Sequence, residues 1–140
     1  MTTLSDTVTL LGERWALLVV REVSLGLRRF DELRSATGAP RTVLSDRLRR
    51  LVEAGVLGTR EYRVPGSRAR LEYTLTAAGL DLLPVLAALT DWGERHLDTA
   101  SVPDVAYRHG GCGGRVEARL VCECGSEVVP GQRLLAQVNR

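Results

Sequence analysis

Arginine is the residue type with the most chemistry to offer in this chain. The sequence contains no lysine, and eleven of its nineteen arginines lie between Arg28 and Arg70. A guanidinium group can grip a phosphate or pair bidentately with guanine O6 and N7. Eleven arginines against five acids give this segment a net charge of +6, whereas eight against twelve give the rest of the chain −4. The formal total of +2 therefore conceals a polarised molecule, and the segment is predicted to contact DNA.

The candidate contacts lie on a helix expected at about residues 41 to 54 and on the tip of the hairpin that follows. Thr42 and Ser45 could contact a base edge, bond a phosphate or cap their helix, and an arginine row can also be a solvated helix face. Arg47 lies toward the packed edge, so an internal partner such as Glu53 or a backbone carbonyl competes with DNA. The predicted DNA-binding residues are Arg41, Thr42, Ser45, Asp46, Arg47, Arg49, Arg50, Arg63, Arg68 and Arg70.

A second set of residues with chemistry of its own lies near the C-terminus. His109 and Cys112 are followed by Cys122 and Cys124, so four soft ligands stand in two glycine-containing turns. Thiolates and imidazole suit tetrahedral zinc, although Cys-x-Cys is one residue shorter than the usual Cys-x2-Cys. Structural zinc, a thiol or disulfide switch and a metal-free β-unit all stay open. No cofactor is expected to be required.

The elements that position these residues are mostly helices. Ser5 can cap a short helix that ends near Gly12, and a second helix follows whose apolar residues wrap most of its circumference, as in a core helix. A third helix is expected at residues 29 to 37. Gly38 suits the left-handed conformation that ends a helix, and Pro40 fits the first turn of the fourth.

The fourth helix has two faces. Leu44, Leu48, Leu51 and Val52 share one side at 100° per residue, while the hydroxyl and arginine side chains lie opposite or beside them. Gly55 closes this helix. Two helices joined by a short glycine-containing turn form a helix-turn-helix, whose second helix can enter a DNA major groove.

A hairpin is expected next, with strands at residues 57 to 64 and 71 to 75. In the second strand, alternation predicts that Leu71 and Tyr73 face inward and that Glu72 faces outward. A hairpin after the second helix of a helix-turn-helix is a wing.

A last helix is expected at about residues 77 to 98, capped by Thr76 and irregular near its start because Pro84 lies more than a turn inside it. The predicted dimerisation residues on it are Leu82, Leu86, Leu89, Trp92 and Leu97. The fold class is therefore mainly α (α+β). We expect a winged helix-turn-helix with a long C-terminal dimerisation helix in residues 1–100 and a small β-rich Cys/His appendage in residues 101–140.

The composition sets the outer limits. A chain of 140 residues with 44% hydrophobic residues can build a core, and no apolar run approaches the roughly 20 residues that span a bilayer. The N-terminus lacks the pattern of a signal peptide, and three closely clustered cysteines do not form the framework of a secreted disulfide protein. We expect a cytoplasmic protein that does not associate with membranes.

Four stretches carry a resemblance to a known family. They read "LLGERWALLVVREVSLGLRRFDEL", "VLSDRLRRLVEAGVL", "REYRVPGSRARLEYTLTAAGLDLLPVL" and "DWGERHL". In wording and order they resemble the HxlR-type branch of the winged helix-turn-helix transcriptional regulators, which are MarR-like in architecture. The resemblance implies a homodimer on a palindromic or pseudo-palindromic operator of double-stranded DNA. Family members that sense oxidants use a cysteine ahead of the first core helix, and this N-terminus has none.

The function expected from these features is that of a transcriptional regulator, more specifically a repressor modulated by a small-molecule effector. The alternative is a protein-interaction module that docks a partner through a zinc-ribbon-like tail. An enzyme is the weakest interpretation, because the sequence shows no paired carboxylates, Ser-His-Asp set or phosphate-cradling glycine loop.

Overall fold

The computed structural model describes residues 3–98, 105–129, 131–132 and 134–138. The chain divides into two compact units, Met1–Leu86 and Ala87–Arg140. The domain boundary expected between residues 100 and 101 lies outside the described residues. No helix in the described part of the chain is both long and apolar enough to cross a bilayer.

Four helices build the first part of the chain: α1 (Thr3–Leu11), α2 (Arg14–Ser24), α3 (Phe30–Thr37) and α4 (Arg41–Glu53). Gly38 ends α3 with φ +74, which confirms the expected left-handed cap. Two details were wrong. Ser5 lies inside α1 and does not cap it, and Pro40 is the N-cap of α4 with φ −57, one residue ahead of the expected first turn. A proline is tolerated there because a residue at a helix N-terminus has no intrahelical use for an N–H.

The core lies where α2 packs against α3 and α4. From α4, the leucines expected on one face are buried almost completely, with exposures of 0% for Leu44, 1% for Leu48 and 0% for Leu51. Val19 and Val20 of α2 meet them with no exposed surface at all. Burying apolar side chains of this size contributes about 1.5–3 kcal/mol each, so this packing fixes the rotation of α4 about its own axis.

The wing is a two-stranded antiparallel sheet of β1 (Leu57–Tyr62) and β2 (Arg70–Leu75), paired from Leu57 opposite Leu75 to Tyr62 opposite Arg70. The first strand is two residues shorter than expected. At the tip, the Ser67 N–H donates to the Val64 carbonyl at 2.9 Å, and Gly66 between them has φ +81. A proline followed by a glycine with positive φ is the pattern of a type II turn.

The expected facing of β2 was wrong at two positions, because Glu72 is buried and Leu71 is 43% exposed, whereas Tyr73 is half-buried. The Glu72 carboxylate accepts a hydrogen bond from Arg60 at 2.8 Å and lies 3.7 Å from Arg29. The hydrogen bond from Arg60 and the nearby arginine charges lower the pKa of Glu72. Its contribution to stability is therefore present above pH 4.5 and is lost as the pH falls through the lowered value.

The edge of β2 that does not pair with β1 anchors the wing to the chain just before α3. Arg29 forms a β-bridge with Glu72, and the Tyr73 N–H donates to the Arg28 carbonyl at 2.8 Å. The Glu32 carboxylate in turn accepts the N–H groups of Arg28 and Arg29, both at 3.1 Å, which lowers the pKa of Glu32. The wing is thus tied to the first helix of the helix-turn-helix through backbone hydrogen bonds.

The last helix is divided as Pro84 predicted, into α5 (Ala77–Leu80) and α6 (Leu83–His96). Thr76 caps α5 as expected, because its Oγ accepts the Gly79 N–H at 3.1 Å. Of the residues predicted for dimerisation, Leu86 is buried and Leu82 is half-buried. Leu89, Trp92 and Leu97 are 51%, 53% and 52% exposed.

Beyond α6, the described residues contain one small hairpin, formed by β3 (Leu120–Val121) and β4 (Glu127–Val128). A single β-bridge also joins Arg108 to Arg115. Of residues 115–121, which link the two cysteine-containing turns, only Leu120 and Val121 belong to a strand.

Two glycines in unlike surroundings test this packing. A Cβ on Gly79 would clash with the Val56 carbonyl oxygen, whereas a Cβ on Gly58 would meet nothing closer than 3.5 Å. We expect Gly79→Ala to lower the free energy of unfolding by about 1–3 kcal/mol through overpacking, although helix propensity favours alanine. Gly58→Ala, the matched control, should raise it by about 0.5–1 kcal/mol. Urea denaturation measures both, and equal effects of the two changes would contradict the packing at Val56.

Candidate nucleic-acid interface

The outer face of α4 does not pack against the core and is exposed to solvent. Arg41, Thr42, Ser45, Arg49 and Arg50 are all exposed. At 100° per residue the last four lie away from the buried leucines, whereas Arg41 lies nearer to them at the start of the helix. The helix is 13 residues long, about 20 Å, and the major groove of B-DNA is about 12 Å wide. A helix with this face can lie in the groove and present hydroxyl and guanidinium donors.

Asp46 lies at the centre of the arginines on this face and is half-buried. Its Oδ1 accepts from Arg49 Nη2 at 2.6 Å, and its Oδ2 lies 3.0 Å from Arg50 Nε. Arg49 also donates to Glu53 at 3.1 Å, and the bonds to Asp46 and Glu53 raise the pKa of Arg49. The carboxylate of Asp46 therefore orients the two arginines and offsets part of their charge.

Arg47 points toward the fold. Its side chain is 16% exposed and forms ion pairs with Asp46 and with Glu13, the residue that precedes α2. Its Nε is buried and has no hydrogen-bond partner in the described part of the chain. The sequence suggested Glu53 or a backbone carbonyl as the internal partner, whereas the structure pairs Arg47 with Glu13 and Asp46.

Two of the exposed arginines of the wing have no acidic partner among the described residues. Arg63, Arg68 and Arg70 are exposed, and the turn at Val64 to Ser67 lies between the first two. Among the described residues, neither Arg63 nor Arg68 forms an ion pair. Arg70 reaches back toward α3, where its Nη1 is 3.8 Å from Asp31 Oδ2.

A cleft of about 440 Å³ separates the start of α4 from the wing. Its lining includes Phe30, Asp31, Arg41, Tyr62 and Arg70. The Arg41 guanidinium lies over the Phe30 ring at 5.2 Å and 3.8 Å from Asp31. Because Arg41 of α4 and Arg70 of the wing both line this cleft, the arginines of the two elements form one continuous surface.

Comparison with known proteins agrees with this geometry. The family model described as HxlR-like helix-turn-helix matches residues 10–101, which is about two thirds of the chain. The chain belongs to the HxlR-like helix-turn-helix family. It is a transcriptional regulator of the HxlR type with a MarR-like winged helix-turn-helix fold, as the sequence resemblance predicted.

Relatives of this HxlR-type chain extend the match. The HTH-type transcriptional regulator Rv3095 of Mycobacterium tuberculosis, itself uncharacterised, is 44% identical over 122 residues, covering 85% of this chain and 75% of the relative. The crystal structure of the candidate transcription factor PA1607 aligns with a TM-score of 0.77 at 28% identity, over 98% of this chain and 95% of that one. PA1374 from Pseudomonas aeruginosa aligns with a TM-score of 0.64 at 31% identity, over 96% and 90%.

The histidine and cysteines of this HxlR-type chain form two local turns. His109 Nδ1 lies 3.4 Å from Cys112 Sγ, and the Gly114 N–H donates to the same sulfur at 3.4 Å. Hydrogen bonds from Ser126 and Cys122 lower the pKa of Cys124 to about 7. Within the described ranges, no three His, Cys, Asp or Glu residues are arranged to hold a metal ion. Zinc binding by His109, Cys112, Cys122 and Cys124 stays a prediction.

Sequence reasoning missed three acids that organise this interface, namely Asp31, Glu13 and Glu72. Each lies far in sequence from an arginine that it contacts, 39 residues in the case of Asp31 and Arg70. Helical spacing could have suggested the pairing of Asp46 with Arg49 and Arg50, because i,i+3 and i,i+4 neighbours meet on a helix surface.

The sequence predicts DNA contact for both Arg47 and Arg49, but the structure packs Arg47 against the fold and leaves Arg49 exposed. Their substitutions should therefore affect stability differently. Arg47→Ala should lower the free energy of unfolding by about 1–2 kcal/mol, because it removes the packed stem and leaves Glu13 unpaired. Arg49→Ala should change it by less than about 0.5 kcal/mol, as at other exposed positions. Chemical denaturation gives both values. If Arg49→Ala were the more destabilising change, the assignment of Arg47 to the fold would be wrong.

Proposed function

We propose that this regulator is a homodimeric repressor that binds a palindromic operator through α4 and the wing of each copy. The observation that carries the proposal is the exposed face of α4, whose arginines project away from the buried leucines beside a wing tip with unpaired cations. Exposed guanidinium groups on a groove-sized helix suit duplex DNA better than a single-stranded or protein partner.

The residues divide by the contacts they suit. Arg49 and Arg50 lie in the second half of α4, their guanidinium groups can pair with base edges in the groove, and Asp46 keeps these groups in place. Thr42 and Ser45 near the start of α4 suit a base edge or a phosphate. Arg63 and Arg68 suit the minor groove or the backbone beside the wing, so they supply affinity rather than sequence preference.

The dimer in this proposal forms through α6. Val85, Leu89 and Trp92 recur at i, i+4 and i+7, and all three are exposed in the single chain. A stripe of this kind on a helix is an interaction surface. A two-fold dimer presents two copies of α4 and two copies of the wing. Its operator must therefore contain two matching half-sites about one helical turn apart.

A small-molecule effector would act on this dimer by binding one spacing of the two α4 helices better than another. The second unit holds a cavity of about 210 Å³ whose lining includes Ala87, Thr90 and Glu94 of α6 together with Tyr107 and Arg115. Glu94 and Arg115 lie 3.4 Å apart across it. An occupant of this cavity touches the helix proposed to hold the dimer, which makes it the proposed effector site.

DNA binding is tested by fluorescence anisotropy on duplexes that flank the protein's own gene, across a range of salt concentrations. If the dimer neutralises about 6 to 10 phosphates, affinity should fall by roughly 10³ to 10⁵ between 50 and 200 mM salt. Arg68→Ala should weaken binding to every sequence, whereas Arg49→Ala should cost about 1–3 kcal/mol and relax the sequence preference.

The control for these variants is Arg95→Ala, which removes an exposed arginine of α6 that pairs with Asp91. It should leave the affinity within about twofold of wild type, since it lies outside the proposed contacts. A folded protein that shows no saturable, salt-sensitive binding to any of these duplexes would sink the proposal.

The dimer is tested with charged substitutions at equally exposed apolar residues. Leu89→Asp on α6 should convert the dimer into a monomer, because it buries an unpaired carboxylate in the proposed interface. Leu25→Asp, at a position 54% exposed beyond the end of α2, should leave the dimer intact. Light scattering after size exclusion reports the mass of each, and a wild-type chain that is monomeric at all concentrations would rule out α6 as the interface.

A further inference from the structure

Two arginines from different elements converge on one exposed carboxylate. Arg41 is the first residue of α4 and Arg70 the first of β2, and both face Asp31 of α3. Arg41 Nη2 lies 3.8 Å from Oδ1 of Asp31, and Arg70 Nη1 lies 3.8 Å from Oδ2. Each carboxylate oxygen therefore has a guanidinium group of its own, one from the α4 face and one from the wing.

These contacts are too loose to hold the fold together. A hydrogen bond from nitrogen to oxygen spans 2.7–3.2 Å, and neither guanidinium group of Arg41 or Arg70 makes one to any described residue. The three side chains are 64%, 59% and 69% exposed in the order Arg41, Arg70, Asp31. The contrast is with Glu72, which is buried and bonded to Arg60 at 2.8 Å.

The arrangement has the chemistry of a phosphate site. Guanidinium groups bind phosphate oxygens through charge-assisted hydrogen bonds, and two such groups aimed at one point can hold two oxygens of the same phosphate. Arg41 is oriented by its position over the Phe30 ring, and Arg70 by the first backbone pair of the wing. The cleft of about 440 Å³ around them opens on the same surface as the α4 face.

We propose that Asp31 occupies the position of a DNA backbone phosphate in the free protein and competes with it for Arg41 and Arg70. The inference rests on the proposed DNA-binding function and adds to it a residue that sets its strength. On binding, the phosphate displaces the carboxylate and takes both guanidinium groups. Because a phosphate carries no sequence information, Asp31 weakens binding to operator and non-operator duplexes alike.

The test is Asp31→Asn, which removes the charge and keeps the shape. Fluorescence anisotropy on a duplex bound by the wild type and on a scrambled duplex of equal length should show about 3- to 10-fold tighter binding to both, the range of one or two exposed ion pairs. The gain should shrink as salt rises. Asp81→Asn, which removes an exposed acid with no ion pair in the described part of the chain, should stay within about twofold of wild type.

A thermodynamic cycle separates competition from a general change in charge. In a chain that carries Arg41→Ala and Arg70→Ala, adding Asp31→Asn should no longer tighten binding, because the groups it releases are absent. Thermal melts of each variant establish that the fold is retained.

Each other result decides against the inference. Unchanged or weaker binding of Asp31→Asn, while the wild type binds normally, would overturn the role of Asp31 and leave the proposed function standing. If Asp31→Asn tightened DNA binding just as much in the chain that carries Arg41→Ala and Arg70→Ala, Asp31 would act only through net charge. If the wild type binds no duplex, the proposed function fails, and this inference fails with it.

Discussion

The burial of three leucines on α4 is the constraint on which the rest of the surface depends. Leu44, Leu48 and Leu51 have at most 1% exposure, so α4 cannot rotate about its axis without opening cavities that cost several kcal/mol. At 100° per residue, that choice of inner face also decides which residues point outward. The chemistry of the outer face is thus specified by packing on the opposite side of the same helix.

Acids determine how much of the arginine charge is available. The segment from Arg28 to Arg70 has a net charge of +6, yet its Asp46 is shared by three arginines, and Glu72 just beyond it is shared by two. Two of the arginines that contact Asp46, namely Arg49 and Arg50, are side chains proposed to bind DNA. The cations of the wing tip have no such partners among the described residues. The net charge of a segment is therefore a poor measure of the unpaired charge on the surface, because that charge depends on which arginines lie beside a carboxylate.

Local signals predicted the elements well. The left-handed Gly38, the Thr76 cap and the break near Pro84 each follow from the conformational limits of single residues, and the leucine spacing of α4 follows from helix geometry. The errors have a different origin. Glu72 is buried because residues far away in the sequence supply two guanidinium groups and a backbone partner.

The same limit explains the candidate site. Its residues on α4 could be found from helical phase, whereas the links from Arg47 to Glu13 and from Arg41 and Arg70 to Asp31 join elements whose approach is tertiary. A pattern with a period of 3.6 or 2 residues contains no information about such pairs. Resemblance to a family supplies the order of the elements but not the partners of individual side chains.

The anchoring of the wing limits how this regulator can be controlled. The backbone before α3 is held on one side by Glu32 and on the other by Tyr73, so the first helix of the helix-turn-helix and the wing move together. The α4 face is fixed to the same core. An effector of the proposed kind would therefore have little freedom to shift the wing relative to α4 within one copy. In the proposed dimer, the adjustable quantity is the spacing between the two copies, which is set by the surface that joins them and not by the residues proposed to contact DNA.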